Sequence, residues 1–257
     1  MVISYVFMSV LIFLLGLCIG SFLNVCIYRI PESKSIVYPG SECPGCGQSI
    51  KFYDNIPVLS FAVLRAKCRN CAIPISWRYP FVELLTGLFA MGIFLKFGLT
   101  VEAFIYFVFI AVLLVITFID IDYQIIPDLI SLPGIAIFFV GSLAIPGISI
   151  MDAVIGILAG GGILFVVAEV YWRLTGKEGM GGGDVKLLAM IGALIGWQGV
   201  LFTIFAASAT GTIIGIITML IQGKNLKLAI PFGPFLSFGA VMYVFFGAEI
   251  IKWYFSF

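Results

Sequence analysis

The chain contains no histidine and few charged residues. His is absent from its 257 residues, and Asp, Glu, Lys and Arg together make up only 11%. Without imidazole, histidine metal sites, Ser-His-Asp triads and imidazole acid–base catalysis are all excluded. The net charge of +1 gives no electrostatic basis for a nucleic-acid partner. A soluble domain carries about a quarter charged residues, so this chain has little surface suited to water.

Apolar residues take the place of the missing charge. They make up 62% of the chain, and the mean hydropathy is +1.19, which predicts a polytopic helical membrane protein. No charged side chain precedes Arg29. A secretory signal begins with basic residues and ends at a cleavage site, and the first residues carry no Lys or Arg. We therefore predict that residues 1–28 form a retained first span.

Charge-free windows predict an all-α fold with about eight transmembrane helices. The predicted spans are Val2–Tyr28, Pro80–Leu95, Ala103–Ile119, Leu129–Met151, Ala153–Trp172, two within Leu187–Gln222, and Leu228–Ala248. As a single helix, the uncharged run 187–222 would measure about 54 Å against a core of about 30 Å. It must therefore fold back, and Gly196–Gly199 is the expected point. The sixth span would then run from Val185 to Gly199 and be short, at about 22 Å. Either the bilayer thins locally or Asp184 sits below the interface, and both bring this acid nearer to lipid-buried substrate.

The basic residues predict the orientation. With the N-terminus outside, all Lys and Arg residues except Lys96 and Lys252 fall in cytoplasmic segments, in agreement with the positive-inside rule. We expect a multi-pass protein of the cytoplasmic (inner) membrane. The predicted domains are the first span (1–28), a cytoplasmic cysteine loop (29–79) and a seven-helix membrane domain (80–257).

The polar loop contains two C-x-x-C pairs with the spacing of a zinc ribbon. Cys43 and Cys46 form the first pair, Cys68 and Cys71 the second, and 21 residues separate the pairs. Each pair would direct two thiolates at one tetrahedral ion. The alternative is two disulfides, which require an oxidising compartment. Because the predicted loop is cytoplasmic, we predict a zinc-ribbon-like site holding one structural Zn²⁺.

Two aspartates, Asp120 and Asp184, stand at the ends of apolar segments with two predicted spans between them. An even number of crossings brings both acids to the same face of the membrane. A carboxylate at membrane depth is costly and indicates function. Asp122 lies about 200° around the helix from Asp120, so both cannot point into one cleft, and spacing alone barely separates them. Asp128 follows Pro127 and is expected at the start of the next helix.

Two glutamates lie within predicted spans. Glu169 precedes Arg173 by one helical turn, which predicts a neutralising ion pair. Glu83 has no local partner in the sequence. It is either an interfacial side chain that reaches towards water or a polar contact inside the helix bundle, and the sequence does not choose between these interpretations.

The chain resembles the type IV prepilin peptidases, the leader peptidase/N-methyltransferases of pilus and type II secretion systems. The resemblance covers nearly the whole length and rests on the two cysteine pairs and on the segments Gly16–Asn24, Asp54–Ser60, Arg78–Leu84, Asp120–Asp128 and Gly179–Lys186. The family's catalytic pair matches Asp120 and Asp184. Ala66 and Ala72 stand where glycine is expected in many relatives, a departure that bears on loop geometry.

The resemblance implies an aspartic endopeptidase that removes the leader of a prepilin or pseudopilin at the cytoplasmic membrane face. It also implies methylation of the new N-terminus with S-adenosyl-L-methionine as methyl donor, although no binding motif for that donor is readable and no residue is assigned. Membrane lipid is an expected partner, and the oligomeric state is not predicted. Two alternatives remain: a small proton-coupled transporter whose acids line an ion path, and a scaffold that docks through the zinc loop.

Overall fold

The structure, a computed structural model, describes residues 2–177, 179, 181–222 and 230–255. In these residues it is helical and contains no strand, only the isolated bridges Glu42↔Ser49 and Lys67↔Pro74. The helices are α1 (Val2–Arg29), a 3₁₀ turn (Phe52–Asn55), α2 (Leu59–Val63), α3 (Arg78–Phe97), α4 (Val101–Tyr123), α5 (Asp128–Ser142), α6 (Ile150–Thr175), α7 (Gly182–Gln222) and α8 (Gly233–Phe255). The all-α prediction is confirmed.

Five of the described helices, α1, α3, α4, α6 and α7, are long and apolar enough to cross a membrane. The apolar helix α5 and the stretch Gly233–Gly247 of α8 are shorter. The eight predicted spans correspond to α1, α3, α4, α5, α6, the two halves of α7, and α8. The chain is therefore a multi-pass membrane protein.

The chain divides into two compact units, Met1–Val115 and Ile116–Phe257. In the first unit, α1 packs along α3. A Cβ added at Gly16 would lie 2.7 Å from Ala90 Cβ and 2.8 Å from Gly87 Cα. Small residues let apolar helices approach this closely, which is the usual basis of helix association in a membrane. The long polar segment between α1 and α3 carries the cysteine pairs.

In the second unit, α7 packs against α5, α6 and α8. The contact with α6 depends on glycine, because Cβ atoms at Gly156 and Gly160 would collide with the backbone carbonyls of Gly192 and Leu188. Leu187, Leu188, Met190, Ile191 and Leu194 of α7 are fully buried. The start of α7 is thus held rigidly, and this is the part of the helix that carries Asp184.

The uncharged run in α7 folds back where it was predicted to do so. Gly196 has φ 71° and ψ −179°, which breaks the helix into two. A Cβ at Gly192 would lie 2.8 Å from a Val200 methyl, although eight residues of straight helix would separate them by about 12 Å. The indole N–H of Trp197 donates a hydrogen bond to Asp152 Oδ1 at 3.2 Å. Asp152 also caps the start of α6 together with Ser149, so one side chain fixes both turns.

The bounds of two predicted spans differ from those of the corresponding helices. The span Leu129–Met151 is wrong in its length, because α5 ends at Ser142 and a turn containing Gly147 (φ 87°) follows. A search for charge-free windows does not register such a turn. The last span was expected from Leu228. Residues 228 and 229 lie outside the described part of the chain, and α8 begins at Gly233. The division into domains 1–28, 29–79 and 80–257 stays a prediction.

Candidate active site and metal centre

Asp120 lies in the last turn of α4 and is buried, with 5% of its surface exposed. Its Oδ2 accepts a hydrogen bond from the backbone N–H of Gly233 at 3.0 Å. Asp122 is exposed, because α4 continues through Tyr123 and turns this residue about 200° away from Asp120. The structure therefore distinguishes two acids that spacing alone left nearly equivalent.

Asp184 lies in the first turn of α7 and is half-buried. Its backbone N–H donates to the carbonyl of Gly181 at 3.1 Å. A Cβ added at Gly183 would lie 2.9 Å from Ile126 Cβ, so the glycines before the acid allow close approach to the Asp120–Asp128 segment. Ile126 is also 3.4 Å from the position of a Cβ at Gly233. The starts of α7 and α8 thus meet around one residue.

Ile126 links the surroundings of the two acids, because it lies against Gly183, next to Asp184, and against Gly233, whose N–H binds Asp120. Both acids belong to the second compact unit. Two carboxyl groups that lie close together do not readily ionise at the same time, because their negative charges repel each other. Such a pair can share one proton. The arrangement can remove a proton from water with one carboxyl and donate a proton with the other. It has the chemistry of an aspartic hydrolase.

Lys186, two residues after Asp184, is engaged elsewhere. Its Nζ donates to both carboxylate oxygens of Asp128 at 2.7 and 2.8 Å. Asp128 is the first residue of α5, as predicted. The ion pair joins the start of α5 to the start of α7, and it keeps this lysine from neutralising the neighbouring acid. The sequence indicated the position of Asp128 but not its partner.

The cysteine loop folds into two turns with the same hydrogen bonds. In each turn, the backbone of the first cysteine forms two hydrogen bonds with the residues that follow the second cysteine. In the first turn, Gly47 N–H donates to Cys43 O (2.8 Å) and Cys43 N–H donates to Gln48 O (2.9 Å). In the second turn, Ala72 N–H donates to Cys68 O (3.0 Å) and Cys68 N–H donates to Ile73 O (2.9 Å). The four Sγ atoms lie within 4.8 Å of one another. The two turns therefore direct all four sulfurs at one point.

These sulfurs fit a tetrahedral metal ion. The Sγ atoms of Cys43 and Cys71 are 3.8 Å apart, and four Zn–S bonds of about 2.3 Å imply S···S separations of about 3.8 Å. All four cysteines are free thiols rather than the two disulfides of the alternative prediction. Since the protein supplies four ligands, such a site has no open position and is of the structural type.

Hydrogen bonds within the turns lower the pKa of two of these thiols, which favours the thiolate form that binds a metal ion. Backbone N–H groups of Cys71 and Asn70 lower the pKa of Cys68 to about 6, and those of Gln48 and the Asn70 side chain lower the pKa of Cys46. The N–H of Ile73 acts to lower the pKa of Cys71, but burial and the neighbouring sulfurs outweigh it and raise that pKa to about 11. The four thiols therefore differ in how readily they lose a proton, and a metal ion would bind them as thiolates.

Ala66 and Ala72 occupy left-handed backbone. Their φ angles are both 57°, and Gly47, the counterpart of Ala72 in the first turn, has φ 67°. The left-handed region suits glycine and costs other residues about 1–2 kcal/mol. This explains why glycine is expected at both positions and confirms that the departure concerns loop geometry.

The structure resolves the interpretation of Glu83 in favour of a polar contact. It is buried, with 7% of its surface exposed, so the interfacial alternative is wrong. Its Oε2 accepts a hydrogen bond from the backbone N–H of Val58 at 2.8 Å. Val58 has the unusual φ of 60°, so the carboxylate stabilises a strained turn.

One further ion pair was predicted from the sequence and another was not. Glu169 and Arg173 are paired at 2.7 Å, as predicted. Arg69 binds both carboxylate oxygens of Asp54, at 2.6 Å from Nη2 and 2.9 Å from Nε. This hydrogen bonding lowers the pKa of Asp54. The pair ties the 3₁₀ turn to the second cysteine pair, and the sequence gave no indication of it because the partners are 15 positions apart.

Comparison with known proteins connects both sites to one family. The model of the bacterial peptidase A24 N-terminal domain matches residues 14–97, and that of the type IV leader peptidase family matches residues 107–216. The prepilin leader peptidase/N-methyltransferase of Aeromonas hydrophila is 37% identical over 275 residues, covering 95% of this chain and 92% of that protein. The protein of the same name from Pseudomonas putida is 36% identical, with coverage of 92% and 90%. The chain belongs to the type IV leader peptidase family.

A third relative from this family, the prepilin leader peptidase/N-methyltransferase of Myxococcus xanthus, is 40% identical over 84% of this chain and 64% of its own length. No solved structure matches. The N-terminal family model contains the four cysteines and Glu83, and the leader peptidase model contains Asp120 and Asp184. Gly233 lies beyond both matched ranges, and family membership gives the transporter alternative no support.

Proposed function

We propose that this chain is an aspartic endopeptidase that removes the leader peptide from type IV prepilins or pseudopilins and uses Asp120 and Asp184 as its catalytic pair. The observation that carries the proposal is that Ile126 lies against both Gly183, next to Asp184, and Gly233, which binds Asp120, in one compact unit of a leader peptidase family member. The curated relatives carry the name prepilin leader peptidase/N-methyltransferase. The absence of histidine leaves paired carboxyls as the most economical hydrolytic centre.

In the proposed reaction, the scissile carbonyl and one water lie between the two carboxyl groups. The ionised carboxyl takes a proton from the water, whose oxygen attacks the carbonyl carbon, while the protonated carboxyl donates to the carbonyl oxygen. As the tetrahedral intermediate collapses, the carboxyl that took the water proton donates it to the amide nitrogen, the other carboxylate takes a proton from a hydroxyl group, and the C–N bond breaks. The leader leaves with a carboxylate, and the mature protein gains a free N-terminal amine.

The proposed location of this chemistry is the cytoplasmic face of the inner membrane. The support is the distribution of Lys and Arg, which favours an N-terminus outside and the cysteine loop inside. Asp120 ends α4 and Asp184 begins α7, so both acids stand at helix ends rather than at the membrane midplane. A transported ion would instead be expected to bind near the midplane.

Two cofactors belong to the proposal. Cys43, Cys46, Cys68 and Cys71 would hold one structural Zn²⁺. S-adenosyl-L-methionine would supply the methyl group for the new N-terminal amine, as the names of the relatives imply. No residue of this chain is assigned to that second reaction.

The test is cleavage of a purified prepilin by the protein reconstituted in lipid vesicles. Asp120→Asn should lower the cleavage rate by about 10²–10⁴-fold, because it removes an ionisable group without changing side-chain size. Asp122→Asn is the matched control, since this exposed acid lies on the same helical turn. Normal cleavage by Asp120→Asn with loss in Asp122→Asn would reassign the first catalytic residue. Normal cleavage by both single variants at positions 120 and 184 would reject the aspartic mechanism.

A further inference from the structure

The start of α8 contributes a group to the aspartate site. Phe235 and Leu236 both donate their backbone N–H to the carbonyl of Phe232, so Phe232 caps the helix and Gly233 is its first residue. The first N–H groups of a helix have no partner within it. The N–H of Gly233 finds one in Asp120, 113 positions earlier in the chain, through a buried hydrogen bond of 3.0 Å.

Glycine is required at position 233 by the closeness of this contact. A Cβ added there would lie 2.6 Å from Asp120 Oδ2 and 3.3 Å from its Cγ. A carbon cannot occupy a position 2.6 Å from an oxygen without displacing it, and Asp120 is buried with little room to move. An alanine would therefore push the carboxyl group away from its position or pull α8 away from α4.

We propose that Gly233 is a positioning residue of the peptidase, whose N–H fixes Asp120 Oδ2 and leaves Oδ1 as the oxygen that exchanges a proton with the attacking water. This inference rests on the proposed function. A helix N-terminus is a favourable partner for a carboxylate. A preformed hydrogen bond also removes the need to order the side chain during the reaction.

The neighbourhood supports a role in positioning rather than in charge compensation. Asp184, in the first turn of α7, is itself an acid and cannot neutralise Asp120. The ion pair of Lys186 and Asp128 is internally neutral. Ile126 packs between the backbones of Gly183 and Gly233, so a shift of α8 would also disturb the approach of α7. The geometry of the pair therefore depends on the backbone of α8.

The experiment measures kcat and KM for prepilin cleavage by Gly233→Ala and Gly233→Pro, on the monodisperse folded fraction of each variant. Gly233→Ala keeps the N–H but crowds the carboxyl, and Gly233→Pro also removes the donor. Displacement of a catalytic group by about 1 Å costs about 100-fold. We expect kcat to fall by that amount for alanine and at least as far for proline, with KM within about twofold of wild type.

Gly16→Ala is the matched control for helix packing. Its added Cβ would lie 2.7 Å from Ala90 Cβ and 2.8 Å from Gly87 Cα, and these residues belong to the other compact unit. It should lower the melting temperature while the folded protein keeps kcat within about threefold. Gly162→Ala faces open space and should change neither quantity.

A kcat within about threefold of wild type in Gly233→Ala or Gly233→Pro would overturn the proposal, as would a rise in KM with unchanged kcat. Failure of the proposed function gives a different pattern, in which the wild type does not cleave prepilin or Asp120→Asn cleaves it normally. The two failures are therefore distinguishable within one set of assays.

Discussion

Cys43 and Cys71, which meet in the cysteine loop, are 28 positions apart, whereas Asp120 and the Gly233 N–H that binds it are 113 apart. The loop is built from two short turns in which the backbone hydrogen bonds of Cys43 and Cys68 join residues four or five positions apart. The aspartate site is assembled from the ends of three helices, α4, α7 and α8. The first site therefore depends on local turn geometry, together with the proposed metal, and the second depends on long-range helix packing. The two should fail independently.

The largest effect is expected from Asp184→Asn. Removal of one ionisable carboxyl should lower prepilin cleavage by about 10²–10⁴-fold, while bound zinc and the melting temperature remain as in wild type. If methyl transfer uses a separate site, the variant should still methylate a pre-cleaved peptide in the presence of S-adenosylmethionine.

Cleavage assays, metal analysis and thermal unfolding of the same preparation make this test. Loss of zinc from Asp184→Asn would contradict the independence of the two sites. No methylation of cleaved peptide by the wild type would restrict the chain to peptidase activity.

The reverse separation is expected from Cys43→Ser combined with Cys68→Ser. Purified wild-type protein should contain about one equivalent of zinc and the variant none, because only two thiolates remain. Metal binding contributes folding free energy to such small sites, so limited proteolysis should cut the variant within residues 29–79 and leave the helices of unit two intact.

A mass map of the wild type under non-reducing conditions is the control for the metal assignment. Disulfides among the four cysteines would reject zinc. If the protease instead cuts the variant throughout both compact units, the loop must also stabilise the helices outside residues 29–79.

A smaller effect is expected where α5 and α7 meet. Lys186 and Asp128 are exposed by 37% and 57%, and exposed pairs contribute about 0.2–1 kcal/mol. A double-mutant cycle with Lys186→Ala and Asp128→Ala, read by thermal unfolding, should give a coupling energy in that range. High salt should reduce it. A coupling well above this range would mean that the pair is shielded from water.

An effect of similar size, but a stabilising one, is expected for Ala72→Gly. Relief of the left-handed alanine gains about 1–2 kcal/mol, and the greater freedom of glycine in the unfolded chain offsets about 0.4–1 kcal/mol of it. The loop should become slightly more resistant to proteolysis. Gly47→Ala is the mirror experiment, since its Cβ would meet no atom within 4 Å, and it should weaken the loop by a similar amount. If Ala72→Gly and Gly47→Ala change the stability of the loop in the same direction, the two turns are not equivalent.

The sequence revealed the local features of both sites and missed the distant ones. The C-x-x-C spacing specifies the sulfur cluster because each turn closes within a few residues. The fold-back at Gly196 was also readable, since an uncharged run longer than the membrane must turn. Gly233 was not recognised, although Pro231 and Pro234 flank it and mark a helix start. The pairings of Lys186 with Asp128 and of Glu83 with Val58 were equally hidden. They depend on which helices become neighbours, and hydrophobic patterning does not contain that information.

The break at Gly196 gives the first half of α7, residues 182–196, a length of about 22 Å. This is shorter than a typical hydrocarbon core of about 30 Å. A bilayer adapts to a short span by thinning around it, at a fraction of a kcal/mol per Å of mismatch. Longer acyl chains raise this cost and shorter chains lower it. We therefore expect lipid chain length to change how readily water and substrate reach the acid at the start of α7.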